Sequence, residues 1–478
     1  MDGAGAVLWE RAAEAATANA SYAAAVEYAE RARGHYLREG QDRDAARVQA
    51  LAGQALSSWG RHAEAREQLS AAVDVLRAGP DTDTVWALFL LARLEVFAGS
   101  PDADRLSAEA LTLGQALNVG PSQLGELFLC RGLYHAFAGR RPQAASYMRE
   151  AARLANRVGD SYVEGRALLN LSDTLAPSEP AAAAEAARTA AGALRRTGAR
   201  RQLAAAIMNV AEALLQLGDW DTAAAELSPD ADSEALDIEE LTVERGWLAA
   251  LRGDAGTARA CLSALQDLRV SEDPQMRSGI GIVRAFAAAG RQPADALREA
   301  RAILAYAGAI GISSAYLRWA WPLAARCAHE QADTAAAREL LALLDSYQPG
   351  YLAPMLLAER DLVRARLAAS SGGGDAAAAF TAAIASLREQ STPYHLAHGL
   401  LDHAEFLVRT ADAASGADAA SGADVSSGAD IAAAASAIAE ARDIAGRLRC
   451  QPLLDRADAL RPQDSVTATP QDSARSAS

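Results

Sequence analysis

His395, His398 and Asp402 stand at i, i+3 and i+7. That spacing sets two imidazoles and a carboxylate on one face of a helix, a geometry that could hold a divalent metal. The same three also read as exposed polar positions of a helix near the end of the chain, and no metal is expected. His329 and Glu330 begin an HExx pattern, but the histidine a zinc-protease helix needs four positions on is Asp333. In GIGIVR, Gly279 and Gly281 could start a dinucleotide loop, yet no strand precedes them and Arg284 stands where the third glycine belongs. Cys130, Cys261, Cys327 and Cys450 are scattered without a CxxC pair, so neither a zinc site nor a disulfide framework is indicated. They read as buried thiols.

Composition removes further chemistry. All 46 basic residues are arginine; the sequence has no lysine. A Walker loop, a Schiff base and a lysine general base are therefore excluded. A formal charge of −15 opposes a phosphate backbone, so no nucleic acid is expected to bind this chain alone. No stretch approaches 18 uninterrupted apolar residues, and residues 1–20 lack a basic start before an apolar run. No membrane span is expected, and the cytoplasm is the expected location. No catalytic residue and no cofactor is expected, because no nucleophile, base and oxyanion donor converge in the sequence.

The elements that would position any side chain are helices. Roughly a quarter of the 478 residues are alanine, the strongest helix former and one that lets helices approach closely. A signature recurs as GRHAEA at Gly60, GSPDAD at Gly99, GRRPQA at Gly139, GDWDTA at Gly218, GDAGTA at Gly253 and GRQPAD at Gly290. The intervals are 39, 40, 79, 35 and 37, the 79 being two periods with a glycine-free turn near Ser178. Further turns fall near Ala20, Ala332, Gly373 and Asp412. Each signature lies between two stretches of helical period, as Val48, Leu51, Ala55 and Leu56 before Gly60 and Ala65, Leu69, Val73 and Leu76 after it. The glycine is read as a helix C-cap in left-handed conformation.

The reading is an all-α fold, an α-solenoid of about eleven helical hairpins of tetratricopeptide type over residues 1–462, a superhelix whose concave groove is lined by first helices. SGAD at Ser415, Ser421 and Ser427 marks a flexible insertion over 411–430, and 463–478 a disordered tail.

Groove candidates follow from this register. Asn170 in LLNLSDTL and Asn209 in IMNVAEALL lie 39 residues apart, at equivalent places in adjacent first helices. Their amides could hold the backbone of an extended peptide, or could bond neighbouring helices to each other. Arg140 belongs to one of three arginine pairs, with Arg141, beside Arg195–Arg196 and Arg200–Arg201; such pairs also suit helix C-termini. Trp319, with Trp321 in YLRWAWPLAAR, is either core or a binding platform.

On LWERAAEAA at Leu8, GRHAEAREQL at Gly60, EVFAGSPDADRL at Glu95, RWAWPLAAR at Arg318, HLAHGLLDHAEFL at His395 and ARDIAGRLRCQPLLDRA at Ala441, residues 6–462 resemble a known repeat region. It is the C-terminal tetratricopeptide-repeat region of bacterial multidomain signalling proteins, which also carry a nucleotide cyclase and an AAA-type signal-transduction ATPase. The resemblance implies a scaffold or sensor arm that binds a protein or peptide and restrains an ATPase or cyclase. The catalytic parts have no counterpart here, and a first helix from Val7 to Ala16 fits an arm encoded apart from its engine or a truncated product. A second expectation is a small-molecule effector sensor, similar to the repeat domain of the bacterial maltose-regulon activator, in an ATPase- or transcription-regulator-type switch.

Overall fold

The computed structural model describes residues 4–228, 239–348, 350–371, 375–417 and 425–460. Among these residues every regular element is helical. The fold is all-α, a tetratricopeptide-like solenoid with eleven helical hairpins among the described residues.

The first five hairpins pair α1 (Ala4–Ala18) with α2 (Tyr22–Arg38), α3 (Asp42–Ser58) with α4 (His62–Leu76), α5 (Thr82–Phe97) with α6 (Ala103–Ala116), α7 (Pro121–Phe137) with α8 (Arg141–Arg157), and α9 (Ser161–Leu175) with α10 (Pro180–Arg195). The sixth is α11 (Arg200–Leu217) with the seven-residue α12 (Trp220–Glu226). Then come α13 (Glu239–Arg252) with α14 (Ala255–Ala264), α15 (Pro274–Ala289) with α16 (Pro293–Leu304), and the single turn α17 (Ala307–Ile310). The last three pair α18 (Ala315–Glu330) with α19 (Thr334–Asp345), α20 (Pro354–Ser370) with α21 (Ala376–Gln390), and α22 (Pro393–Ala417) with α23 (Val425–Leu448). A lone α24 (Gln451–Ala459) follows.

The turns explain the recurring signature. At Gly60 (φ 85°) the Gly60 amide donates to the Ser57 carbonyl at 3.1 Å and the Arg61 amide to the Leu56 carbonyl at 2.9 Å. These two bonds satisfy carbonyls that the helix end leaves without partners, and the left-handed residue between them is why glycine recurs. Ala20 and Ala332 hold the same conformation at φ 57° and 55°, so those turns form despite a Cβ. Two expected positions differ. Gly290 has φ −82° and needs no glycine for its conformation, and Asp412 lies inside α22, because alanine-rich sequence carries that helix on to Ala417. Gly373 lies outside the described residues.

Chain entry into the helices is equally local. Asp81 and Thr84 form a reciprocal capping box at α5, and the carboxylates of Asp160, Asp254 and Asp333 accept first-turn amides of α9, α14 and α19. Proline occupies the first turn of α7, α10, α15, α16 and α20, where its missing N–H costs nothing.

Within a hairpin, glycine on the first helix lets the second come close. A Cβ on Gly53 of α3 would sit 2.6 Å from Leu69 Cγ of α4, and one on Gly281 of α15 would sit 2.9 Å from Ile303 Cγ1 of α16. The GIGIVR stretch is therefore a helix-packing surface inside α15 and not a phosphate loop.

The described residues gather into two compact units. The first is formed by the described residues within 4–214, 222–241 and 348–351; the second by those within 215–221, 242–347 and 352–460. The core of the first runs through Leu69, Leu76, Leu88, Leu129, Met148 and Ala183, with a smaller cluster of Ala13, Ala32, Tyr36 and Val48. In the second, Trp247, Phe286, Trp319 and Tyr394 form a contiguous aromatic cluster. The backbone is helical at Ser415 and at Ser427, while Ser421, between them, and the tail 463–478 lie outside the described residues.

Candidate functional site

In the first unit the first helices of successive hairpins present one polar and aromatic face. A groove of about 430 Å³ crosses α5, α7 and α9, walled by Asp83, Trp86, Ser122, Gln123, Glu126 and Asp160. The Trp86 indole is 38% exposed and stacks on Phe89 with ring centroids 4.9 Å apart. Arg166 of α9 donates to Glu126 of α7 at 2.5 Å and lies over the Tyr162 ring. Arg93 of α5 belongs to the same group of charges. Burial first, and then the like charge of Arg166, hold its guanidinium below the ordinary value, while Glu126 acts in the opposite sense. Burial and the neighbouring Asp81 raise the Asp83 carboxyl.

Asn170 and Asn209 are half-buried beside this stripe and engaged with protein atoms. The Asn170 amide donates to the Arg166 carbonyl of its own helix at 2.8 Å. The Asn209 amide reaches from α11 to α9, donating to Ser172 Oγ at 3.0 Å and to the Leu169 carbonyl at 3.3 Å. Arg140 is exposed at the start of α8; it donates to the Tyr134 hydroxyl at 2.9 Å and lies over that ring. Tyr134 is also covered by Arg131, which is bound to Asp104 at 2.5 Å. Arg196 bonds Ser161 and Glu164, and Arg201 pairs with Glu240 at 3.5 Å.

Trp319 is 1% exposed, between Trp247 at 5.3 Å and His395 at 4.6 Å, so its indole presents no platform at the surface. Trp321 is fully buried and donates its indole N–H to the Leu340 carbonyl at 3.0 Å.

The second unit holds a different arrangement, which sequence reading glimpsed only through three residues of α22. Asp402 is buried and receives three guanidinium N–H bonds. Arg366 of α20 donates Nε at 2.8 Å and Nη2 to the same oxygen, and Arg456 of α24 donates Nη2 at 2.5 Å to the other. Burial pushes the Asp402 carboxyl up, but the two arginines outweigh it and bring it to about 2. His398 lies with Nε2 2.5 Å from Arg326 Nη1 and Nδ1 3.2 Å from Arg456 Nη1. Burial, then those cations, hold it well below the ordinary histidine value. His395 bonds Thr392 Oγ1 at 2.7 Å and is lowered to about 3, by burial first and then Arg326.

The three residues that could have held a metal thus share a helix face, but each is committed to other partners and cations surround them. Among the described residues no group of three His, Cys, Asp or Glu side chains could hold a metal ion. Next to this knot lies Glu359, 3% exposed, whose carboxyl burial pushes up to about 7 against the attraction of Arg366. A chamber of about 550 Å³ opens at Arg366 and Arg456, walled also by His329, Glu330, Glu405 and Arg409 together with Val363, Leu367 and small alanines. His329 is lowered by burial and then by Arg366. The cysteines carry no reactive signature: Cys130, Cys327 and Cys450 are buried, and burial raises them to about 12, about 11 and about 12. Among the described residues no helix is long and apolar enough to cross a membrane.

No family model and no curated protein matches this sequence. Solved structures with similar helical architecture exist. A Rap protein complexed with competence and sporulation factor is 11% identical, with TM-score 0.42, covering 70% of this chain and 99% of its own. The apo form of RapI is 11% identical, with TM-score 0.37, over 83% and 98%. The Cut9–Hcn1 hetero-tetramer of the APC/C is 14% identical, with TM-score 0.36, over 94% and 95%. These are partial likenesses at low identity. The pattern of the described residues, eleven helix–turn–helix hairpins of which seven turn through a left-handed residue, makes this a tetratricopeptide-type helical repeat.

Proposed function

We propose that the chain is a non-catalytic interaction scaffold or sensor arm of a cytoplasmic bacterial signalling system, and that it binds a peptide segment of a partner protein on the first-helix face of the first unit. An ATPase or nucleotide cyclase is the partner class that the sequence resemblance favours. The observation that carries the reading is the groove shared by α5, α7 and α9, with a partly exposed tryptophan beside carboxylates from three consecutive hairpins and the Gln123 amide. An extended peptide needs this: apolar area for one anchor side chain, and polar groups on successive helices for its backbone.

Peptide display against the full chain tests it. Enriched peptides should lose at least tenfold in affinity for Trp86→Ala, whose side chain is partly exposed and whose removal leaves the fold intact by circular dichroism. Peptides that bind the variant and the parent equally would place the partner surface elsewhere. Affinity capture followed by mass spectrometry then asks whether the bound protein is an ATPase or cyclase.

A further inference from the structure

We infer that the chamber of the second unit binds a small organic molecule carrying a single carboxylate, received by Arg366 and Arg456. The volume, about 550 Å³, falls in the range of about 300–1,000 Å³ in which small-molecule sites lie. Size alone would not make it a site. Arg366 does.

Its side chain is 3% exposed, and Nε and Nη2 are both spent on Asp402. Its third nitrogen, Nη1, is buried and has no hydrogen-bond partner. A guanidinium is a rigid plane, so when one edge grips a carboxylate the Nη1 hydrogens are directed away from it. A buried donor left without an acceptor costs free energy, and an oxygen brought by a ligand recovers it. Asp402 fixes this geometry from behind, and Arg456, held by the other oxygen of Asp402, stands on the same wall.

The remaining wall sets the ligand's charge. Three guanidiniums (Arg366, Arg409 and Arg456) face or adjoin four carboxylates (Glu330, Asp333, Glu405 and the buried Asp402). That slight excess of carboxylates repels a dianion such as phosphate more than a monoanion, and a single carboxylate needs only the one donor, Arg366 Nη1, that Asp402 leaves. Val363, Leu367, Ala328 and Ala337 line the space left for a carbon body. His329, held low by burial, supplies a neutral ring that can donate or accept.

Differential scanning fluorimetry and calorimetry on the full chain test the inference. The probes are free amino acids, 2-oxo acids and aryl carboxylic acids, each with its primary amide, and inorganic phosphate. At least one carboxylate should raise the melting temperature by several degrees, and its amide should bind at least tenfold more weakly. Arg366→Lys keeps a cation against Asp402 but removes Nη1, and should lower affinity at least tenfold. Ala337→Phe fills the chamber without touching the Arg366–Asp402 pair and should abolish binding. A panel without a binder, an amide equal to its acid, phosphate binding more tightly than every carboxylate, or retained affinity in both variants would each overturn the inference. Trp86→Ala leaves this chamber unchanged, so failure here and failure of the peptide-groove reading are separate results.

Discussion

Glu359→Gln should make the protein more stable, and the gain should grow with pH. Glu359 is 3% exposed in α20, and burial raises its carboxyl from the ordinary 4.5 to about 7. The unfolded chain gives up this proton near 4.5 and the folded chain near 7, so stability falls as pH rises through that interval and is flat above it. At about 1.4 kcal/mol per pH unit the full cost of ionising the buried group is about 3 kcal/mol. Glutamine keeps the shape and hydrogen-bonding capacity of the protonated acid and has no proton to lose. Between pH 5.5 and pH 8 the stability gap between variant and parent should therefore widen by about 2 kcal/mol. The lower limit stays above the sequence pI of about 5.0, where solubility is poorest. Urea unfolding followed by helical circular dichroism at five pH values measures the gap directly. A gap that stays constant across the window, or a glutamine variant less stable at pH 8, would show that Glu359 ionises in the fold at its ordinary value and that Arg366 compensates its burial.

Asp402→Ala should cost about 3–5 kcal/mol in unfolding free energy, because it strands the buried Arg366 guanidinium and half-frees Arg456. Gly53→Ala should lower the melting temperature, since its Cβ would meet Leu69 at 2.6 Å, whereas Gly192→Ala in α10, with nothing within 4 Å, should stabilise by about 1 kcal/mol. Ala20→Gly relieves a left-handed alanine at φ 57° and should add about 1 kcal/mol, read from the midpoint of a denaturant titration.

The hairpins were legible because their signals are local. A left-handed glycine at Gly60 or Gly139, an alanine-rich helix on either side and a proline or aspartate to start the next helix all act within a few residues. Where such signals weaken, reading errs by a turn or more, as at Asp412, where small helix-forming residues let α22 run on. The site was far less legible. Asn170 and Asn209 bond helix atoms beside the groove and do not wall it, and the residues that shape it, Trp86 and Glu126, carry no repeat-spaced signal. The chamber depends on Arg366, Asp402 and Arg456, which lie 36 and 54 residues apart and meet only through packing. His395 and His398 caught attention as metal-like spacing, whereas burial among arginines is what governs them. Trp319 could be core or platform from sequence, and only neighbouring hairpins decide that it is enclosed.

Helix α24 has nine residues, and it sends one of them, Arg456, to the buried Asp402 while Leu453 and Ala457 seat it against its neighbours. The Arg456–Asp402 bond therefore serves two ends, helping, with the Arg442–Asp458 pair, to fasten this short helix and forming part of the chamber wall. Anything that loosens α24, whether a tag, a protease or a docking protein, would be felt as a weaker grip on whatever the chamber holds. By reciprocity, an occupant would clasp the helix more firmly to the unit. A small solute could in this way decide whether that segment is offered to other molecules.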